Sequence, residues 1–564
     1  MIPAWHAFLE ESAAPGWAEP PPPDSVGLDY LGTLQANLAM LGVLTQGMNN
    51  VVTSARQHAV IAWACWRYRE NLRAAGRHDA DPDEWRAMLD AVESIQLAGH
   101  VRLGEELGRD NVGFGAGSAG ELFDGQRVRL RFPDYDRNHQ TSIMAAVNYG
   151  PSAKDIALHF ITGAGGVWVP TTGRGEALAR HLDPLLRRSA SYGRLARLPL
   201  PGSIPVDEAL DLARSGLSEG PALAPRPERA SYVEALFDLD QQPVSDLRRR
   251  SLALFLEVVG ALDHADGVDA HDVRRVLLAG RLPDDPLWRP PSHLQETARL
   301  WRILQVRQLQ RFCLETWLYL AECWMDLERT APAMVTRALA ASAQDPVGEL
   351  VRGDAAHALS GFIDDIANGD LSAWANTDHP RDPWKLVWDE VGRAVRAKDT
   401  DRTAVAAIVL TLAVTALVDV VEVSGALEER FLTEGARLRI SLATWQRWWR
   451  RRAEEPFDRV LAEMLSELVL QQHVAVAVSR FDNDKRRLRF CNDKRGWELL
   501  PGTLPAEPRL TPDRIPALTS LLGDLGLLHA TPEGRWRLAD SGRAVLDRVQ
   551  AACIDHDSRA GAAR

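Results

Sequence analysis

Cysteine is scarce in this chain: Cys65, Cys313, Cys323, Cys491 and Cys553 are the only five in 564 residues, an odd number with no CxxC spacing. That pattern excludes a disulfide framework and a cysteine-rich zinc site, and reduced cytoplasmic thiols are the simple reading. Long apolar runs are also lacking. The most apolar of the long uncharged stretches, Thr403 to Val418, has sixteen residues. As a helix it would rise about 24 Å, short of a hydrocarbon core of roughly 30 Å, so a buried core helix and no membrane partner are expected. The opening MIPAWHAFLEESAAPGW has no basic region followed by an apolar core, so no secretory signal is expected. There is no excess of positive charge either: 65 Lys and Arg stand against 77 Asp and Glu, a formal net charge of -12. That argues against a wholesale nucleic-acid coat and leaves room for a small local basic face.

The signatures of common enzyme chemistry are missing too. The glycine-rich GFGAGSAG, Gly113 to Gly120, has no Gly-Lys-Ser/Thr ending and follows no apolar strand. No nucleophile elbow, HExxH or kinase signature occurs. The sequence therefore assigns no catalytic residue, no metal ligand and no cofactor. What remains is an ordinary globular composition, 46% hydrophobic and 25% charged, in a chain too long for one hydrophobic core.

One internal likeness stands out. GVWVPTTGRGEALARHL, Gly166 to Leu182, and GRWRLADSGRAVLDRV, Gly534 to Val549, align with a one-residue gap on Gly166/Gly534, Trp168/Trp536, Gly175/Gly542 and Leu178/Val545. Each reads as a short strand that runs into an amphipathic helix, the form of a winged-helix wing and its closing helix. Binding modules are expected from that form.

Helical periodicity dominates the rest. Leu34 to Ala75 reads as two helices broken near Gly47 to Asn50. Helices are further expected at Thr141 to Tyr149, Val206 to Leu217, Ala230 to Leu239, Pro243 to His264, Asp269 to Gly280, Ser292 to Glu328, Thr330 to Ser342, Pro383 to Ala397, Asp401 to Val423 and Glu454 to His473. The alternation in VAVAVSR, Val474 to Arg480, and RRLRFC, Arg486 to Cys491, predicts a β-hairpin turning at Asp482 to Asp484. Thr511 is a plausible N-cap for a helix from Pro512 to Leu528. The fold class is thus mainly α: a multi-domain helical protein with winged-helix-like modules and small β-hairpins. Its expected parts are an N-terminal helical domain with a winged-helix-like end (1–197), a Pro-rich linker (198–229), a central all-helical domain (230–430), a C-terminal winged-helix-like domain (431–552) and a disordered tail (553–564).

The strongest basic cluster is TWQRWWRRR, where Trp445, Trp448 and Trp449 interleave with Arg447, Arg450, Arg451 and Arg452. Arginine forks suit phosphates and indole faces stack on bases, so this composition fits a nucleic-acid contact. The alternative is an amphipathic helix whose tryptophans pack while its arginines pair with Glu454, Glu455 and Asp458. Lys485, Arg486 and Arg487 extend the positive character, and Arg535, Arg537 and Arg543 are candidates on the wing and closing helix of the tail module. The helix expected before that wing carries one Arg and two Asp, poor chemistry for a major groove, which leaves protein contact as the other reading. Three acidic or histidine clusters prompt a metal test: Asp263 to Asp272, Asp134 with Asp136 and His139, and Glu349 with Asp354 and His357. The first lacks calcium-loop spacing and reads as a helix-helix turn with Asp269 as cap. The second would need a further carboxylate and a lysine that the sequence does not place, and the third reads as a solvent-facing cluster.

NNVVTSARQHAVIAWACWRYREN, SIMAAVNYGPS with GVWVPTTGRGEALA, LRRRSLALFLEVV, WRILQVRQLQRFCLETWLYL and the tail winged helix together resemble a group of large bacterial proteins, some encoded beside helicases and nucleases in phage-defence gene clusters. The resemblance is one of pattern and order and carries over no site residue. It implies an intracellular accessory subunit of a DNA-directed defence system, with a helicase, nuclease or ATPase as partner and DNA as a possible ligand. A divergent metal nuclease built on Asp134, Asp136 and His139 and a winged-helix transcriptional regulator are the competing expectations.

Overall fold

The computed structural model describes residues 29–562 apart from 104–127, 133–143, 145–148, 155–156, 165, 219–227, 241–245, 263–265, 284, 286, 344–346, 368–383, 385, 420, 422–424, 437–439 and 480–487. The protein is mainly α-helical and multi-domain, as its periodicity predicts. Its strands among the described residues are β1 (Arg129–Arg131), β2 (Ile161–Ala164), β3 (Val167–Pro170), β4 (Ser203–Pro205), β5 (Phe490–Asp493), β6 (Gly496–Leu499), β7 (Leu528–Ala530) and β8 (Trp536–Leu538). They pair as four two-stranded antiparallel ribbons, β1 with β4, β2 with β3, β5 with β6 and β7 with β8.

The described residues group into two compact units, Met1–Ala39 with Ile303–Thr511, and Met40–Arg302 with Pro512–Arg564. This differs from the expected division. The Pro-rich stretch 198–229 is no boundary: it lies inside the second unit, where Ser203–Pro205 pairs with β1 and helix Val206–Leu212 continues into a wider turn, Ala213–Leu217. The closing helix Asp540–Ala562 runs through the expected disordered tail, with Cys553 fully buried.

In the first unit, the long helix Gln295–Trp324 supplies its residues from Ile303 onward as the core. Val306, Leu309, Cys313, Trp317, Leu320 and Trp324 are all buried, the three-and-four spacing read from sequence. In the same unit helix Ala331–Ser342 packs on Thr400–Asp419 and Phe457–Met464, and Thr400–Asp419 packs on Leu442–Arg450. Thr400–Asp419 is long and apolar enough to cross a membrane by composition, and 83% of its most apolar stretch is buried inside the protein. Its Thr411 hydroxyl donates to the Ala407 carbonyl (2.7 Å) and accepts from the Trp317 indole N–H (2.9 Å), so one polar group fixes two core helices. Val474 to Arg480 corrects the sequence reading: Gln471–Ser479 is helical, and the hairpin is β5–β6. Gln472, His473, Val476 and Ala477 are its buried residues, a helical face that outweighs the Val/Ala alternation.

In the second unit, helices Ala55–Ala74 and Arg174–Leu186 form the largest helix pair. Arg174, Asp238 and Arg248 lie within it as a buried ion network: the Asp238 carboxylate accepts from Arg174 Nη2 (3.0 Å) and from Arg248 Nη2 (2.6 Å). Helix Ala270–Ala279 starts at Asp269, whose side chain accepts from His271 and Asp272 N–H while Asp272 reaches back, a complete capping box. The turn-and-cap reading of Asp263 to Asp272 thus holds at its described end.

Candidate functional site

Both wings lie in the second unit, and their likeness extends to individual atoms. In the first, Gly163 pairs with Trp168 and the turn carries Gly166 at φ +82°; in the second, Ala530 pairs with Trp536 and Gly534 has φ +76°. The residue that follows each ribbon closes it in the same way. Thr171 N–H donates to the Phe160 carbonyl and Ala539 N–H to the Leu527 carbonyl, both at 3.0 Å. Beneath these carbonyls sit Gly175 and Gly542, where a Cβ would collide with Phe160 O and Leu527 O respectively. The glycine pair aligned in the sequence therefore reflects one physical demand, the close approach of a closing helix to a ribbon.

The second module is assembled from two distant pieces. Val268 bridges Trp536 with reciprocal backbone bonds of 2.8 and 2.9 Å, adding a strand residue beside β8. With helix Asp246–Leu262 before it, and Ala270–Ala279, Ile515–Asp524, β7, β8 and Asp540–Ala562 after it, the element order is that of a winged helix. The expected contiguous module at 431–552 is corrected accordingly: its first three elements come from before residue 281. Its presumed N-cap is corrected as well. Thr511 accepts from Asn37 and Arg311 side chains (both 3.0 Å), and the helix begins at Ile515 after Arg514, which has φ +64°.

Helix Ile515–Asp524 occupies the recognition position, and its apolar side packs inside its own unit. Ile515, Leu518, Leu521 and Leu522 are fully buried, and Gly523 lies against the Trp536 ring. Arg514 Nη1 donates to the Leu41 and Thr45 carbonyls and to Thr45 Oγ1 (3.1, 3.2 and 2.8 Å), holding the end of helix Thr33–Leu44. Burial lowers this guanidinium to about 10. Asp513 accepts a bidentate pair from Arg274 (2.6 and 2.9 Å), and Asp524 accepts the Ala55 N–H (2.9 Å) at the start of helix Ala55–Ala74. Its outer side, Pro516 with Ser520, Gly523 and Asp524, carries no basic side chain, which is poor chemistry for a major groove.

The other sequence candidates are distributed as follows. Arg535 on the wing pairs with Asp272 and approaches Asp269, so its charge is largely spent locally. Arg537 and Arg543 are exposed. Helix Leu442–Arg450, capped by Ser441, buries Trp445, Trp448 and Trp449. Trp448 donates to Glu467 (2.9 Å), and Arg452 lies 4.2 Å over the Trp448 ring while pairing with Glu463 (2.7 Å). Arg450 pairs with Asp419 (3.1 Å). The tryptophans are therefore core and not base-stacking platforms. The carboxylates that answer the arginines are Asp419, Glu463 and Glu467, where Glu454, Glu455 and Asp458 were expected. Arg447, Arg450 and Arg451 remain on an exposed edge. Lys485, Arg486 and Arg487 lie outside the described residues, as do Gly113 to Gly120 and Asp134, Asp136 and His139. Glu349 pairs with Arg352 and Asp354 caps the His357 N–H, so that cluster is satisfied locally. Among the described residues no group of three or more His, Cys, Asp or Glu is placed to hold a metal ion.

One constellation invisible in the sequence has the composition of a nucleophilic site. His58 Nε2 lies 2.6 Å from Ser152 Oγ, and its Nδ1 lies 3.0 Å from the Tyr232 hydroxyl. The group is closed to a substrate: His58, Ser152 and Tyr232 are 0%, 1% and 0% exposed, and the Ser152 hydroxyl also reaches the Tyr149 carbonyl (2.7 Å). His58 is wholly buried, which holds it down at about 3. His473 is similar: Nδ1–H donates to the Tyr30 carbonyl, Nε2 accepts the Arg489 N–H, and burial lowers it to about 4. Both are structural, neutral imidazoles.

Their consequence is acid sensitivity. In the unfolded chain each histidine binds a proton below about 6.5, while the folded chain refuses it until about 3 at His58 and about 4 at His473. Within those windows the unfolded state carries the extra protons, so stability falls with falling pH by about 1.4 kcal/mol per pH unit for each histidine, and is unaffected above the window. Urea unfolding at pH 7 and pH 5 is expected to show a loss about 2 kcal/mol smaller in His58→Gln than in the parent. Identical pH profiles would remove His58 as the cause.

In the first unit a cavity of 380 Å³ is lined by residues that include Tyr30, Glu315, Arg489 and Arg509. Its buried charges are already answered: Glu315 by Arg311 (2.7 Å) and the Arg509 N–H (2.8 Å), and Arg489 by Glu322 (2.5 and 3.0 Å). Comparison with family models, with curated proteins and with solved structures finds no match to this chain.

Proposed function

We propose that this chain is a non-enzymatic scaffold and recognition subunit of a bacterial, DNA-directed anti-phage assembly, working in the cytoplasm with a helicase, nuclease or ATPase. The observation that carries the reading is the fate of helix Ile515–Asp524. A winged helix whose recognition helix presents no basic side chain on its outer side is ill suited to reading DNA, while its wing and closing helix carry exposed Arg537 and Arg543. That arrangement favours protein contact over gene regulation. The placement in a defence system rests on the pattern-level resemblance of the sequence.

Purification of the tagged protein from its native host, with and without nuclease treatment, tests the proposal. Co-purification of a helicase or nuclease that survives the treatment is expected. A chain that comes down alone and cleaves DNA with a divalent metal, the cleavage being lost in Asp136→Ala, would overturn it in favour of a nuclease.

A further inference from the structure

Strand β1 carries arginine at alternate positions, and the β1–β4 register decides where they face. Arg129 is opposite Pro205, Leu130 opposite Ile204 and Arg131 opposite Ser203. Leu130 and Ile204 are buried, 1% and 0% exposed, so this pair faces the core, and period-two alternation leaves Arg129 and Arg131 together on the outer face. Arg129 is held in place without being neutralised. Its Nε and Nη2 donate to Ser203 Oγ (3.2 and 3.0 Å), and Nη2 also donates to the Ser203 carbonyl (3.2 Å). Arg131 is exposed and makes no ion pair among the described residues. Glu208, a carboxylate within electrostatic reach of Arg129, is engaged by Arg194 through two bonds of 2.6 and 2.8 Å.

We propose that the outer face of the β1–β4 ribbon binds the phosphodiester backbone of nucleic acid through Arg129 and Arg131. Two residues along an antiparallel strand advance about 6.8 Å, close to the spacing of successive phosphates along one nucleic-acid strand. A guanidinium fork matches a phosphate bidentately, and Ser203 presets the Arg129 fork, so less side-chain entropy is lost on contact. The contact is to backbone, so it is independent of sequence, and it sits on a chain that is acidic overall. It goes beyond the scaffold proposal and does not depend on which proteins the chain joins. It also places nucleic-acid contact away from the tryptophan-arginine helix.

Fluorescence anisotropy of the full chain with a short labelled mixed-sequence duplex, and with its single strand, between about 50 and 200 mM salt tests the proposal. Binding that weakens with salt is expected. Arg129→Glu with Arg131→Glu should weaken it at least tenfold and reduce the slope of log affinity against log salt by about 2, roughly 0.9 for each phosphate contact on a duplex. Arg129→Gln with Arg131→Gln, which removes charge without reversing it, should give the same reduction in slope. Reversal of Arg447, Arg450 and Arg451 to Glu should leave affinity and slope unchanged. No binding by the parent, unchanged binding in both ribbon variants, equal binding to phosphatidylserine vesicles, or loss only in the helix variant would each overturn the assignment. The last outcome would restore the tryptophan-arginine edge as the phosphate contact.

Discussion

Gly175→Ala is expected to destabilise the protein by about 3 kcal/mol or more, whereas Gly193→Ala should change stability by less than about 0.5 kcal/mol. At Gly175 a methyl group would collide with the Phe160 carbonyl oxygen and come within 3.2 Å of Pro170 Cα, both backbone atoms. Phe160 cannot move aside cheaply, since its carbonyl accepts the Thr171 N–H that closes the ribbon and its ring is fully buried against His58 and Tyr232. At Gly193 the same methyl would meet nothing within 4 Å. Urea unfolding of the two variants beside the parent measures the difference. A Gly175→Ala variant as stable as Gly193→Ala would show that the ribbon and helix separate easily.

Asp238→Asn should cost about 3–5 kcal/mol, the range for breaking a buried ion pair from one side. Arg248 and Asp238 are both wholly inaccessible as side chains, and Arg174 is 4% exposed. Arg248 also donates to the Gln46, Ala157, Leu236 and Ala235 carbonyls, so it would stay buried among dipoles without its carboxylate. Arg174 would keep Asp240 at 2.5 Å, which makes Arg248 the main source of the cost. Asparagine preserves the shape and tolerates the left-handed backbone, φ +47°, at this position, so charge is the quantity tested. Asp83→Ala, which breaks an exposed pair with Arg86, should fall within about 1 kcal/mol of the parent. Equal effects at the two sites would refute the account.

The candidate sites were legible in proportion to how local their physics is. The glycine and tryptophan spacing of the two wings survives translation into atoms because each wing closes on its own neighbours. The tryptophans of helix Leu442–Arg450 fall at helical spacing, and burying them follows from that spacing. The partners of the interleaved arginines were misread, since Asp419, Glu463 and Glu467 arrive from other helices. His58, Ser152 and Tyr232 could not be grouped at all: the contacts join residues 94 and 174 positions apart. Arg129 and Arg131 show in the sequence only as alternating arginines in QRVRLRF, and the strand that aligns them depends on pairing with a segment 74 positions away.

By itself the sequence determined the helical class, the burial of Thr403 to Val418, the repeated wing and the cap at Asp269, because apolar period, turn chemistry and capping are written within a few residues of one another. Tertiary structure decided that Val474 to Ser479 is helix, that the second winged helix joins pieces from either side of residues 281–511, and that its recognition helix is tied at both ends through Arg514 and Asp524. Those outcomes depend on which distant surface covers a given apolar face. Periodicity specifies that a face must be covered; only packing selects what covers it.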